Sequence, residues 1–167
     1  MPSPMISRRT ALKTGGALVA ASSAVLFTPA IIRPALAATV APTPSMRGGS
    51  NNYRPGAPIV ERIGKGGFMM TGTVRRAGDG APLEGQRIQI WAHTVEGYES
   101  NPKSHGATLT DADGKFALDM PQIVPAFGQP HAHLAYDSGD FKTVFLRPIM
   151  PSSKDTTLAA HFVLEPE

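Results

Sequence analysis

Cysteine is absent from the 167 residues. That excludes disulfides, and it excludes a lipid-bearing cysteine at a leader-cleavage site, so the fold must hold through its core or through a metal. Aromatics are few. One Trp and three Tyr mean that each of these side chains can be weighed individually as a site residue. Helical patterning is missing as well. Past residue 37 no window sustains a 3.6-residue apolar period, and no run is apolar enough to cross a bilayer. Residues 1–37 contain no acid but hold Arg8, Arg9, Lys13 and Arg33.

Those first 37 residues have the plan of an export leader. Arg8-Arg9 opens a charged region, a weakly apolar run follows from Gly15 to Ile32, and Ala35-Leu36-Ala37 ends it with small residues. The paired arginines resemble a twin-arginine signal, which predicts export through the Tat machinery to the periplasm or outside the cell. Gly15, Gly16, Ser22, Ser23 and Pro29 dilute the apolar run, so a cleaved leader is expected rather than a stable membrane anchor. Cleavage leaves about 130 residues, enough for one domain. It also changes the charge. The whole chain is formally +3, but without the four leader cations 12 basic residues face 13 acidic ones. The mature protein therefore has no global basic field to attract nucleic acid.

Residues 38–58, rich in Pro, Gly, Ser and Asn, read as an extended arm. Residues 59–167 read as strands separated by turn signals. FMMTGTVRRA (68–77) is one. QRIQIWAH (86–93) alternates strongly, with Ile88, Ile90 and Ala92 on one face and Arg87, Gln89, Trp91 and His93 on the other. HGATLTDADGKFALDM (105–120) reads as a hairpin turning at Asp111-Ala112-Asp113-Gly114. An EF-hand is disfavoured there and a tight turn expected, because the twelfth position counted from Asp111 is Gln122 instead of glutamate. PHAHLAYDS (130–138), FKTVFLRPI (141–149) and LAAHFVLEP (158–166) complete the set. Six or seven short strands with Gly/Pro turns predict an all-β, antiparallel β-sandwich. Strand alternation sends His131 and His133 to one face and Tyr136 to the other.

GTVRRAGDGAPLEGQRIQIWAHTVEGYES (72–100), TDADGKFALDMPQIVP (110–125), HAHLAY (131–136) and FKTVFL (141–146) follow one another in an order that resembles the intradiol ring-cleavage dioxygenases, the catechol and protocatechuate dioxygenase family. The resemblance implies a prealbumin-like β-sandwich and a non-haem Fe(III) held by two tyrosinates and two histidines. It implies a substrate of the small aromatic diol class, cleaved with O2 between its hydroxyl-bearing carbons to a muconate-type diacid. Carried over residue by residue, it makes Tyr98, His131 and His133 metal ligands. The second tyrosine's place in the family's P-x-x-Y-P falls on Val124, which cannot ligate. Gln129 is the polar side chain near the place of the family's arginine before H-x-H and is the candidate catalytic residue. Val144 falls where the family has a glutamine.

Two imidazoles and one phenolate leave the metal set one ligand short. Tyr53, in the arm, and Tyr136, if a bulge reversed its face, are the replacements to consider. With one tyrosinate fewer, Zn(II) or Cu(II) suits the set about as well as Fe(III). His93 and His105 flank the loop of Tyr98 and can lie near a pocket mouth, while His161 reads as structural and Trp91 as core. Two alternatives stand beside the dioxygenase. One is a non-catalytic periplasmic binding module that has lost full iron ligation, suggested by Val124, Gly128 and Val144. The other is a metal-free prealbumin-like sandwich, since the shared strand pattern specifies fold and not function. The chain lacks the long helical region that would support a catechol-dioxygenase type of dimer, and other assemblies stay open.

Overall fold

Alternation of apolar and polar residues dictates the strands seen in the computed structural model, which describes residues 39–126 and 128–167. The leader expected over 1–37 lies outside the described residues. Strands β1 (Gly67–Arg76), β2 (Arg87–Ala92), β3 (His105–Leu109), β4 (Lys115–Pro121), β5 (Ala132–Tyr136), β6 (Val144–Leu146) and β7 (Thr157–Leu164) form two sheets. One has the order β4-β1-β7 and the other β3-β2-β5-β6. A 3-10 turn, Pro102–Ser104, precedes β3. Among the described residues no helix is long and apolar enough to cross a membrane.

The sheets meet face to face over one apolar layer. Phe68, Met70, Val74, Phe116, Leu118 and Phe162 come from one sheet; Ile88, Ile90, Leu134, Tyr136 and Leu146 come from the other. Each such side chain contributes about 1.5–3 kcal/mol by leaving water. Gly72 in β1 is the tightest point. A Cβ there would sit 1.8 Å from the Ala160 carbonyl oxygen and 2.3 Å from the Phe116 ring, so glycine lets that ring lie over the strand.

The all-β, mainly antiparallel sandwich is as expected, with one parallel strand pair, β1–β7. One sequence expectation needs correction. The segment 105–120 is not a hairpin: β3 pairs with β2 and β4 pairs with β1, in different sheets. The turn itself is as tight as its residues predict. The Asp111 carboxylate accepts the backbone N–H groups of Asp113 (3.0 Å) and Lys115 (2.8 Å), and Gly114 takes φ 72°. Thr110 then redirects the chain. Its hydroxyl donates to the Leu83 carbonyl (2.6 Å) and accepts from the Gln86 N–H (2.8 Å), which pins the corner to the β1–β2 loop and carries the chain across the sandwich.

The Pro/Gly-rich segment before β1 is bonded along its length to both sheets. The Thr43 N–H donates to Val163 on β7 (2.9 Å), and the Met46 N–H donates to Phe145 on β6 (2.7 Å). Farther on, Val60 donates to Ala107 on β3 (2.9 Å) and Ile63 to Asp119 on β4 (2.9 Å). These four are the outer strands of the two sheets. The segment is thus a belt that occupies exposed edge groups which would otherwise template aggregation. Between β6 and β3 it crosses the outer face of the four-stranded sheet.

Candidate metal centre

That outer face carries the polar chemistry. In register, His105 of β3 lies beside Trp91 of β2, and Trp91 lies beside His133 of β5. Neighbouring strands are about 4.8 Å apart, so the three flat rings stack. Their centroids are 5.4 and 5.3 Å apart and their planes differ by 4° and 10°. Trp91 is buried, but against the belt and outside the apolar layer, and its indole N–H donates to the Asn51 carbonyl (2.9 Å).

His131 and His133 do share a face, their rings T-shaped with centroids 5.0 Å apart and planes at 72°. Each has its Nδ1 on a backbone carbonyl. His131 Nδ1 is 2.8 Å from the Gln129 oxygen, and His133 Nδ1 is 3.0 Å from the Gly49 oxygen. A carbonyl only accepts, so both Nδ1 atoms donate, and in the neutral imidazole that leaves the lone pair on Nε2. Both Nε2 atoms face one carboxylate oxygen, Glu99 Oε2, at 3.6 Å from His131 and 3.3 Å from His133. His133 is 0% exposed and His131 6%. Glu99 Oε2 and His133 Nε2 are buried without a hydrogen-bond partner. Burial pushes the His133 imidazole below the ordinary histidine pKa, outweighing the Gly49 carbonyl and the Glu99 charge. Glu99, His131 and His133 each bring a ligand atom within 4.8 Å of the others, an arrangement that suits a metal cation, and the unpartnered Glu99 Oε2 and His133 Nε2 are costly without one.

The surroundings fix these donors. Glu99 Oε1 accepts from the Asn52 side-chain amide (2.7 Å), and the Glu99 carbonyl accepts from His105 Nε2 (2.8 Å). Asn52 takes φ 57°, a left-handed conformation that asparagine tolerates. Such outer partners orient ligands and set their tautomers. Arg147 adds a cation. The β5–β6 register, with Leu134 opposite Leu146 and His131 opposite Ile149, places Arg147 opposite His133. Its Nε is buried without a partner, and its charge adds to the lowering of the His133 pKa.

The other sequence candidates are distributed as follows. Tyr98 follows the expected loop but is 66% exposed, its ring stacked on His93 at 4.7 Å. The Gln129 side chain is exposed, and its backbone carbonyl is what holds His131. Tyr136 faces the core, as its parity predicts. The Tyr53 hydroxyl donates to Asp137, and its ring packs on Trp91 and Phe145. Burial first, then that hydrogen bond, push the Tyr53 phenol up to about 12. Val124 is partly buried, and its backbone N–H donates to the His93 carbonyl (3.1 Å). Val144 belongs to the core layer and not to the histidine face. His161 lies on β7, bonded to the Thr73 hydroxyl at 2.9 Å. Sequence reasoning did not single out Glu99 or Arg147. Glu99 adjoins Tyr98 in the Gly97-Tyr98 stretch, which was its one available signal.

No family model and no curated protein matches the chain. Solved structures do match. The dioxygenase domain of a dioxygenase carbohydrate-binding protein fusion from Streptomyces sp. SirexAA-E superposes with TM-score 0.61 at 16% identity, over 76% of this chain and 99% of that one. Hydroxyquinol 1,2-dioxygenase from Pseudomonas putida DLL-E4 gives 0.58 at 13% identity, over 77% and 68%. 3-Chlorocatechol 1,2-dioxygenase from Rhodococcus opacus 1CP gives 0.55 at 16%, over 75% and 72%. The chain has the β-sandwich fold of the intradiol dioxygenases.

Proposed function

We propose that this chain is an exported metalloenzyme that acts on a small catechol-type aromatic diol with O2, using non-haem iron. The observation that carries the reading is the convergence of the half-buried Glu99 with the buried His131 and His133, two of whose ligand atoms, Glu99 Oε2 and His133 Nε2, are buried without a partner, on a fold whose solved examples include 1,2-dioxygenases of hydroxyquinol and chlorocatechol. When bound, the metal would supply a Lewis-acid and redox centre at which diol and O2 meet. The protein's own part is positional. Gly49 and Gln129 hold the imidazole tautomers, Asn52 and His105 hold Glu99, and the belt excludes water. Arg147 offers a positive charge to a diol that has lost a proton. Export through residues 1–37 is part of the proposal.

Metal analysis of the purified chain, followed by oxygen uptake with catechol, hydroxyquinol and chlorocatechol, tests the activity. Iron near one per chain with uptake on at least one diol is expected; bound metal with no uptake on any diol sinks the enzyme reading. Replacing Arg8-Arg9 by two lysines should abolish export, and unchanged export would remove the twin-arginine assignment. A second reading, a non-catalytic metal-binding module, is favoured by the closure of the site, where His133 is wholly buried. It predicts metal without oxygen consumption.

A further inference from the structure

The ferric site of two tyrosinates and two histidines that the family resemblance implies is not built by the side chains present. The chain has three tyrosines. Tyr136 is turned into the core layer, the Tyr53 hydroxyl is committed to Asp137, and Tyr98 lies on His93 with most of its ring in solvent. Val124 stands where the resemblance places the second tyrosine. We infer that the centre is a two-histidine, one-carboxylate site, Glu99–His131–His133, that takes a divalent transition metal. The inference rests on the proposed function only in taking this place to be a metal site.

The donor chemistry decides the metal class. Phenolate oxygen favours hard Fe(III), and two phenolates would also neutralise two of its three charges. Here one carboxylate brings a single negative charge, and two neutral imidazoles bring none. Arg147 opposite His133 adds a positive charge that opposes a trivalent ion more than a divalent one. Two histidines and one carboxylate with open positions are the donor set of non-haem Fe(II) oxygenases, and they accept Zn(II) as well. The three donors come from two places. His131 and His133 are fixed by the β5 alternation, and Glu99 is fixed by the loop that His105 and Asn52 hold. The unpartnered Glu99 Oε2 and His133 Nε2 are the atoms that such an ion would satisfy.

The test uses the full purified chain, stripped of metal and titrated anaerobically with Fe(II) and, separately, with Zn(II). One ion per chain is expected for each. Outer partners of a metal ligand are worth about 10- to 100-fold in affinity, so removing a ligand should cost about 100-fold or more. Glu99→Ala and Glu99→Gln should both show that loss, the second while keeping the side chain's shape. Tyr98→Phe should bind within about twofold of the parent, and Fe(III) should develop no tyrosinate charge-transfer colour. Circular dichroism identifies any variant that has failed to fold, and Glu99→Gln then stands in for Glu99→Ala. A ferric tyrosinate colour that Tyr98→Phe abolishes, or Glu99 variants that bind like the parent, overturns the inference even if the protein oxidises diols. Divalent binding that depends on Glu99 without any oxygen uptake supports it and removes only the enzymatic reading.

Discussion

Gly49→Ala is the sharpest perturbation that the structure allows. An alanine Cβ at this position would lie 2.9 Å from the carbonyl carbon, the carbonyl oxygen and the Cβ of Phe145. Real Cβ atoms essentially never approach that closely, and the obstructing group is mostly main chain of β6. The belt must therefore move outward by about 0.5 Å or more to reach ordinary contact, at an overpacking cost of about 1–3 kcal/mol. The Gly49 carbonyl moves with it. Its 3.0 Å hydrogen bond from His133 Nδ1 stretches toward the limit, and the neighbouring bond from the Met46 N–H to Phe145 (2.7 Å) is strained as well. The hydrogen bond alone is worth about 1 kcal/mol. Its larger effect is on the tautomer. Without an acceptor at Nδ1 the proton can sit on Nε2, where it blocks the ligand lone pair, and outer-partner losses of this kind weaken metal binding by about 10- to 100-fold. Zn(II) competition against a chromophoric chelator measures the affinity, and urea unfolding of the metal-free chain measures the stability. Ser50→Ala, at an exposed belt position, is the control. A Gly49→Ala protein whose urea midpoint falls while its Zn(II) affinity stays within twofold of the parent would separate belt from metal centre and refute the reasoning.

Three other outcomes follow from the same geometry. Tyr53, with its phenol pushed up to about 12, stays neutral in the folded chain where an unfolded tyrosine ionises near pH 10. Its contribution to stability is complete below pH 10 and is lost as pH rises toward 12. Because the side chain is partly exposed and screened, the loss is about 1 kcal/mol, and a pH series of urea midpoints should show it vanish in Tyr53→Phe. Arg147→Met should tighten divalent-metal binding and weaken binding of an anionic diol, each by about fivefold for a charge interaction on the order of 1 kcal/mol; changes of the same sign in both titrations would show that its charge does not act at the site. Gly72→Ala should destabilise the sandwich by about 3 kcal/mol or more, since its clash is with main chain, and a thermal midpoint within about 2 °C of the parent, equivalent to roughly 0.5 kcal/mol, would contradict the packing described.

Period-two alternation made much of this site legible. It placed His131 with His133, turned Tyr136 away, and put Trp91 and His93 opposite Ile88 and Ile90. What it could not carry was pairing partner and loop geometry. A D-x-D-G turn looks the same whether its strands pair with each other or diverge into two sheets, because the turn's hydrogen bonds are local and the choice of partner is not. The parallel match of β1 with β7 joins strands far apart in the chain, and nothing local encodes it. Trp91 read as core because it is large and apolar, yet its alternation already assigned it to the outer face; a cover for that face was the missing piece. Glu99 sits on a loop without periodicity, and it becomes a candidate ligand only when the β2–β3–β5 register brings His105 and His133 to its two ends. Arg147 is visible only through the β5–β6 register for the same reason.

The belt shows why a segment with the composition of a linker can organise a metal centre. Its contribution comes largely from its main chain. The carbonyls of Gly49, Asn51, Arg54 and Ala57 accept from His133, Trp91, Gln89 and Arg87, all on the outer face of the four-stranded sheet. Covered by the belt but without these carbonyls, the His133, Trp91 and Gln89 donors would be buried and unpaired, at a cost of about 1–3 kcal/mol apiece; Arg87 also pairs with Asp137. Backbone acceptors need no particular side chain, and glycine at 49 is required only because Phe145 leaves no room for a Cβ. The segment can therefore be poor in apolar residues and still be held firmly, by edge bonds to β7, β6, β3 and β4 and by donors from below. The sheet in turn can bury a histidine, a tryptophan and a glutamine on a face that would otherwise meet water. Fold and centre are consequently one cooperative unit: whatever lifts the belt from the sheet also frees the Nδ1 proton of His133, and metal binding should in turn hold the belt down. Hydrogen exchange at the Trp91 indole N–H, which is bonded to Asn51 and is not a metal ligand, should slow on adding Zn(II) to the parent and not to Glu99→Ala. Equal protection with and without the ion would show that belt and centre are independent.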